Sequence, residues 1–308
     1  MEIHSAIVQR GYADEVLQLT LPSLDEEPRS VAPFKTQLLK WIGNKQRFAH
    51  EIIECFPHNF GTYFEPFLGS GAVLATLAPE RAVAADAFWP LIDIFVALHE
   101  RPNELRQWYR SRWELMNAVG KKDAYERVRA SYNARPNAAD LLYLSRACYG
   151  GVIRFRKDGH MSTPCGAHSP IAPESFSRRV SIWSQRTAGA RFLHQDFRDT
   201  MAQATAGDLI YCDPPYSDTQ SIIYGAQAFD LADLVESIAD CKRRGVLVAL
   251  SIDGSKASGR TVVEFDFPRG LFEREVAVNC GRSMLKRFQM AGNSLEHEVV
   301  TDRLLLTY

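Results

Sequence analysis

The sequence predicts an α/β fold: a parallel sheet with helices on both faces, interrupted by a basic, mostly helical insert. Three observations predict it. Short apolar runs that read as buried strands, such as Leu209-Ile210-Tyr211-Cys212 and Val246-Leu247-Val248-Ala249-Leu250, alternate with helical stretches over most of the chain. Two such runs end on a carboxylate, Asp86 and Asp213, where the loops of an open α/β sheet gather ligands. Charge is also unevenly spread. Residues 101–190 hold 16 Lys and Arg against 7 Asp and Glu, whereas the remainder holds 20 against 30. A net of +9 in one segment of a chain whose overall charge is −1 suits contact with a polyanion, and equally a solvated helical surface.

Taken in order, residues 1–31 include the acidic stretch Leu24-Asp25-Glu26-Glu27-Pro28, show no sustained periodicity, and read as an extension. Residues 37–55 look helical in part, broken near Gly43-Asn44. Thr62-Tyr63-Phe64-Glu65-Pro66-Phe67 is a short strand, Leu68-Gly69-Ser70-Gly71 a tight loop, and residues 72–77 begin a helix. Ala82-Val83-Ala84-Ala85-Asp86 is a second buried strand, followed by a helical run over 90–100. Residues 101–150 are helical and basic, with Trp108, Trp113, Leu115, Tyr125, Val128 and Tyr132 available for a small core. Residues 150–175, rich in Gly, Pro, Ser and Arg, predict irregular or hairpin structure. The α/β pattern resumes at Arg191-Phe192-Leu193-His194-Gln195-Asp196 and continues through residues 208–212, a helix around 230–243 and a strand at 246–251. Later strands are expected at 261–265, 274–279 and 297–307.

Bulk properties exclude some classes. The chain has 308 residues, 46% hydrophobic and 24% charged, enough for one large domain or two modest ones. No run approaches the roughly 18 to 20 apolar residues of a membrane span. The first residues lack a signal-peptide pattern, so a cytoplasmic location is expected. Six cysteines are scattered without CxxC pairs or histidine partners at zinc spacing, so reduced thiols and no metal site are expected.

Two motifs carry chemistry. In Phe64-Glu65-Pro66-Phe67-Leu68-Gly69-Ser70-Gly71, a glycine-rich turn between strand and helix allows a ligand close to the backbone. Asp86, about fifteen residues on, stands where a carboxylate can accept from ribose hydroxyls. Its glycine spacing departs from the three-glycine dinucleotide fingerprint, which argues against a nicotinamide enzyme. The second motif is Asp213-Pro214-Pro215-Tyr216. Two prolines stiffen the turn, so a carboxylate and a backbone carbonyl can converge on one point. An exocyclic amine is a poor nucleophile because its lone pair is delocalised into the ring. Two acceptors on its hydrogens draw the nitrogen toward tetrahedral geometry, and a tyrosine ring can stack on a base taken out of the helix. By itself the tetrapeptide is also a Pro-Pro turn capping a strand.

With these residues the chain resembles the D12-class N6-adenine DNA methyltransferases, the group that includes the DNA adenine methylases. The resemblance spans about residues 33–308. Lys40-Trp41-Ile42-Gly43-Asn44-Lys45 is similar to the family's N-terminal cofactor element, which implies Trp41 and Lys45 in the cofactor pocket, Lys45 near the cofactor's carboxylate. Glu65, Phe67, Gly69, Ser70 and Gly71 match the cofactor loop, and Asp86 the ribose-binding acid. Gln195-Asp196-Phe197 matches the element around the cofactor's adenine, Asp196 accepting from its amine and Phe197 lying on its ring. Asp213, Pro214 and Tyr216 match the catalytic motif, whose aspartate separates adenine-type from most N4-cytosine enzymes.

The resemblance implies a Rossmann-like class I S-adenosylmethionine-dependent fold. Residues 32–100 and 190–308 form the catalytic domain, and 101–189 a target-recognition insert. It implies S-adenosyl-L-methionine as cofactor and double-stranded DNA as substrate. A restriction endonuclease acting on the same site is a candidate partner. Residues 146–164 resemble the DNA-contacting hairpin, which makes Arg154, Arg156 and Lys157 candidates for DNA contact. Arg156 stands where the family favours asparagine. Asn suits adenine and Arg suits guanine or phosphate, so no recognition sequence carries over. Expected chemistry is direct methyl transfer without a metal, with Asp213 and the Pro214 carbonyl holding the N6 hydrogens and Tyr216 stacking. Methylation of RNA adenine or of cytosine N4, and a non-catalytic DNA-binding protein on a decayed fold, are the alternatives.

Overall fold

A computed structural model of the chain describes residues 7–8, 29–156, 158–215, 229–253, 255–256, 261–262, 267–282 and 299–308. The elements are β1 (Ile7–Val8), α1 (Ala49–Glu54), β2 (Tyr63–Glu65), α2 (Ala72–Leu77), β3 (Ala82–Asp86) and α3 (Trp89–Glu100). The insert region follows with α4 (Pro102–Val119), α5 (Lys121–Ala134), α6 (Ala138–Ala147) and α7 (Pro173–Arg186). The chain returns through β4 (Ala190–His194), α8 (Phe197–Ala202), β5 (Leu209–Cys212), α9 (Leu231–Arg243) and β6 (Leu247–Asp253), then β7 (Ser255–Lys256), β8 (Thr261–Val262), β9 (Arg274–Arg282) and β10 (Val299–Leu306).

Eight strands form one sheet in the order β1-β9-β10-β6-β5-β2-β3-β4. The five from β6 to β4 are parallel, as the alternation of strand and helix requires. The far edge departs from an all-parallel expectation: β10 runs antiparallel between β6 and β9, and β1 adds antiparallel to β9. Neither β10 nor β9 is joined to its neighbour through a helix within the described residues, and antiparallel neighbours need no crossover. The architecture is the Rossmann-like α/β fold of the sequence-based expectation. Chain order runs outward from β2 through β3 to β4, and β5 and β6 lie on the other side. The topological switch therefore falls between β2 and β5, whose carboxyl ends carry Glu65 and Asp213.

Side-chain alternation divides the core between the two faces of the sheet. Tyr63, Tyr211, Ala249 and Leu304 join the core of α1, α3 and the insert helices. Phe64, Ile210, Cys212, Leu250 and Leu305 join a second core with Phe197 and Met201 of α8 and Leu234 and Ile238 of α9. Within the insert region every residue of α6 is buried. Its first turn is capped by Asn137, whose side chain accepts from the Asp140 amide at 2.8 Å. Tyr125, Val128 and Tyr132 are buried as expected, whereas Trp108, Trp113 and Leu115 are only partly covered.

Local chemistry explains other departures. Of the partly helical stretch expected over 37–55, only Ala49–Glu54 is helical. Gly43 has φ +71° and the Asn44 side chain accepts from the Gln46 amide, a local turn that competes with helix. Helix α7 was outside the elements expected from sequence, although Pro173 in its first turn and Phe176, Val180 and Trp183 on one face are its signals. The 150–175 region is hairpin-like, with antiparallel bridges pairing Cys148 with Cys165 and Phe155 with Met161. Apart from 7–8 and 29–31, the N-terminal extension lies outside the described residues. No helix among the described residues is long and apolar enough to cross a membrane.

Candidate active site

At the end of β2 the chain enters Pro66-Phe67-Leu68-Gly69-Ser70-Gly71. The Leu68 amide donates to the Ala85 carbonyl at 2.9 Å, which ties this loop to β3. Gly69 and Gly71 have φ +50° and +66°, values that glycine adopts at least cost. A Cβ on Gly69 would lie 3.3 Å from the Trp41 ring, so the loop and the indole are in close contact. Asp86, at the end of β3, accepts from the Gly69 amide through Oδ2 and from the Phe88 amide through Oδ1, both at 3.0 Å. Burial pushes its carboxyl up to about 6, against the two amides that favour the charged form.

Alternation places Glu65 on the same sheet face as Tyr63, and Asp213 on that of Tyr211. Glu65 is 2% exposed and accepts from the Tyr63 hydroxyl at 2.8 Å. Burial raises its carboxyl to about 8, and the nearby Asp213 charge adds to the rise while the Tyr63 bond opposes it. Glu65 is therefore mostly protonated at neutral pH. Asp213 Oδ1 lies 3.0 Å from Lys45 Nζ, and Asp302 Oδ2 lies 3.2 Å from the same nitrogen. Lys45, expected near a cofactor carboxylate, thus pairs with two carboxylates of the protein itself.

These groups line one cavity of about 290 Å³ at the switch point. That is near the lower end of small-molecule pockets, which run from roughly 300 to 1,000 Å³. Ten of the eleven cofactor candidates from sequence line it: Trp41, Lys45, Glu65, Phe67, Gly69, Ser70, Asp86, Asp196, Phe197 and Asp213; Gly71, the residue before α2, is not among the lining residues. Phe67 stacks on Phe197 with ring centroids 5.2 Å apart, and Phe229 meets Phe67 edge-on at 5.8 Å. Asp196 caps α8 by accepting from the Arg198 amide, and its carboxylate also pairs with the Arg198 side chain. Burial opposes ionisation of Asp196, but the Arg198 hydrogen bonds and charge outweigh it and hold the carboxyl below its usual range. Pro214 also lines the cavity; Tyr216 lies outside the described residues.

The segment that carries Trp41 and Lys45 has no regular structure of its own before α1, and the insert helices hold it. Arg146 Nη1 donates to the carbonyls of Gln37 and Leu38 at 3.1 and 2.9 Å. Arg179 donates to the same Gln37 carbonyl, and the Trp183 indole to that of Thr36, each at 2.8 Å. Burial lowers the Arg146 guanidinium to about 10, well above neutrality, so it stays charged. From the cavity wall, Trp41 packs against Phe88 and Phe88 against Phe155 of the hairpin, at 6.1 and 5.6 Å. Arg154 and Arg156, on either side of buried Phe155, are exposed; Lys157 lies outside the described residues.

Sequence reasoning missed Asp302, Phe229 and the Arg146–Arg179 clamp. For Asp302 a signal existed, an acid two residues before the apolar run Leu304-Leu305-Leu306, but nothing in the spacing ties it to Lys45.

Residues 41–257 match the family model of the D12 class N6 adenine-specific DNA methyltransferases. The chain belongs to that family. A DNA adenine methylase of Serratia marcescens is 28% identical over 204 residues, 63% of this chain and 73% of that protein. Another, from Vibrio cholerae, is 28% identical over 232 residues, 69% of this chain and 79% of its own length. The Type II methyltransferase M1.LlaDCHI of Lactococcus lactis subsp. cremoris is 25% identical over 245 residues, covering 74% and 84%. The protein is an adenine-specific DNA methyltransferase, and DNA is its substrate. The matched region of this methyltransferase stops at 257, so β9 and β10, with Asp302, lie beyond it.

Proposed function

We propose that this methyltransferase takes its methyl group from S-adenosylmethionine held in the cavity between β2 and β5. In this reading Asp213 and the Pro214 carbonyl accept the N6 hydrogens of an adenine flipped out of duplex DNA. The observation that carries it is a carboxylate paired with Lys45 in the lining of a cavity that Trp41, Phe67, Phe197 and Phe229 also line.

The residues present suit that cofactor. Phe67, Phe197 and Phe229 offer apolar faces to a purine, and aromatic faces such as Trp41 and Phe67 tolerate a sulfonium cation. Each oxygen of Asp86 accepts one amide and keeps a lone pair for a ribose hydroxyl. Gly69 leaves open the space a side chain would fill beside Trp41. Asp196 is partly spent on Arg198, so its contact with an adenine amine uses the remaining lone pairs. When bound, S-adenosylmethionine supplies an electrophilic methyl on a positively charged sulfur. Asp213 and the Pro214 carbonyl turn the N6 lone pair out of conjugation, and as positive charge develops on N6 the Asp213 carboxylate stabilises it. Neutral Glu65 adds no charge to this wall near pH 7. Tyr216, next in the motif, is assigned to stacking on the base.

Residues 32–100 and 190–308 are assigned to catalysis and the basic insert 101–189 to target recognition, with Arg154, Arg156 and Lys157 meeting DNA. The likeness to a Type II methyltransferase supports a restriction endonuclease as partner, acting on the same site in the cytoplasm. The test is Asp213→Ala. Methylation of duplex DNA is expected to vanish while S-adenosylmethionine binding stays measurable by calorimetry. Near-normal turnover would overturn the assignment.

A further inference from the structure

The ion pair on Asp213 has a third member, and it comes from the opposite end of the chain. Strand β10 pairs Asp302 with Val278 of β9 on one side and with Asp253 of β6 on the other. Alternation along β10 puts Asp302 on the face of Leu304 and Leu306, the face that also receives Tyr63 and Tyr211. Asp302 is 7% exposed and Lys45 5% exposed. A charge so far from water is retained only when it is paired.

We infer that Asp302 is a positioning residue for methyl transfer: it holds the Lys45 ammonium so that Lys45 orients Asp213 without cancelling its charge. This rests on the reading of Asp213 as the acceptor of the N6 hydrogens. Lysine is a point charge on a flexible four-carbon stem, and one acceptor does not define where it points. Two acceptors, at 3.0 and 3.2 Å, fix Nζ between β5 and β10. The electrostatics point the same way. One cation paired with Asp213 alone sums to zero beside the nitrogen that becomes positive. With Asp302 included the group keeps a net of −1, and Glu65, raised to about 8 by burial, does not alter that sum near pH 7. Asp302 touches neither substrate nor cofactor in this reading; it acts through Lys45.

Single-turnover methylation by the full chain tests this, using labelled S-adenosylmethionine and DNA from a host without adenine methylation. Asp302→Asn is expected to lower the rate at saturation about ten- to a hundredfold, the scale of one charge-assisted hydrogen bond, with KM for cofactor and DNA little changed. Asp302→Glu is expected to recover most of the rate. In a Lys45→Met background, adding Asp302→Asn is expected to cost nothing further, because the group it acts through is gone. A wild-type rate in Asp302→Asn, or an equal loss in the Lys45→Met background, overturns the inference. Asp302→Ser, which leaves room for water, carries the same test if the amide is not accommodated. Asp213→Ala, which removes the side-chain acceptor, keeps the two readings apart. If it is active, the acceptor assignment fails; if it is dead while Asp302→Asn is normal, the positioning role alone fails.

Discussion

Lys45 Nζ lies 3.0 Å from Asp213 Oδ1, and this contact joins the loop after residue 36 to the end of β5. Trp41, and Gly69 and Ser70 of the glycine loop, line the same cavity. The motif that resembles a cofactor-binding element is therefore also a support of Asp213, the residue proposed to accept the N6 hydrogens.

Removing the cation should cost stability as well as activity. In Lys45→Met, Asp213 and Asp302 both lose the ammonium they contact, a buried imbalance on the order of 3–5 kcal/mol. Adding Asp302→Asn to Lys45→Met should restore part of that loss. Thermal melts of the single and double variants measure it, and a double variant no more stable than the single one would contradict the pairing.

Glu65 ties stability to pH. Its carboxyl rises from 4.5 to about 8 on folding, so the folded state holds a proton that the unfolded state releases between these values. The contribution is fully present below about 4.5 and is lost as pH rises through about 8, at up to ~1.4 kcal/mol per pH unit. Denaturant unfolding of wild type and Glu65→Gln at pH 6 and pH 8 is the measurement. The wild type should lose more stability over that interval than the variant.

The Arg146 clamp predicts that a change remote from the cavity reaches the site. Arg146→Ala leaves the Gln37 and Leu38 carbonyls without that donor and should destabilise the fold by about 2–4 kcal/mol. It should also weaken cofactor binding, because Trp41 and Lys45 follow on the same segment. Calorimetric titration with S-adenosylmethionine checks this, and unchanged affinity would show that the segment holds its place without the clamp.

Exposed Arg154 and Arg156 should matter for DNA and not for cofactor. Replacing either with Ala should weaken DNA binding and, if the contact is to phosphate, reduce the salt dependence of log Kd by about one unit. Fluorescence anisotropy across a salt series reads both. A loss confined to certain sequences would identify base contact instead.

Much of the site was legible in the sequence because its members are local. A strand that stops at Glu65 or Asp213, followed by a loop of glycines or prolines, is a pattern within a few residues. In a parallel sheet such loops converge at the carboxyl ends whatever the rest of the chain does. Helix α7 also carries a local signal, Pro173 in its first turn and the Phe176–Val180–Trp183 stripe.

What the sequence offered by itself was a candidate chemistry: an acid on a rigid proline turn, a glycine loop, an acid at the end of a strand and a basic segment, in an order that resembles one family. What only the tertiary structure decided was how that chemistry is held. Asp302 reaches Lys45 because β10 enters the sheet antiparallel beside β6, and Arg146 reaches residues 37–38 because the insert packs back on the segment before α1. Both contacts join residues more than a hundred positions apart. Neither has a spacing to read, because strand order and packing, not local pattern, bring the charges together.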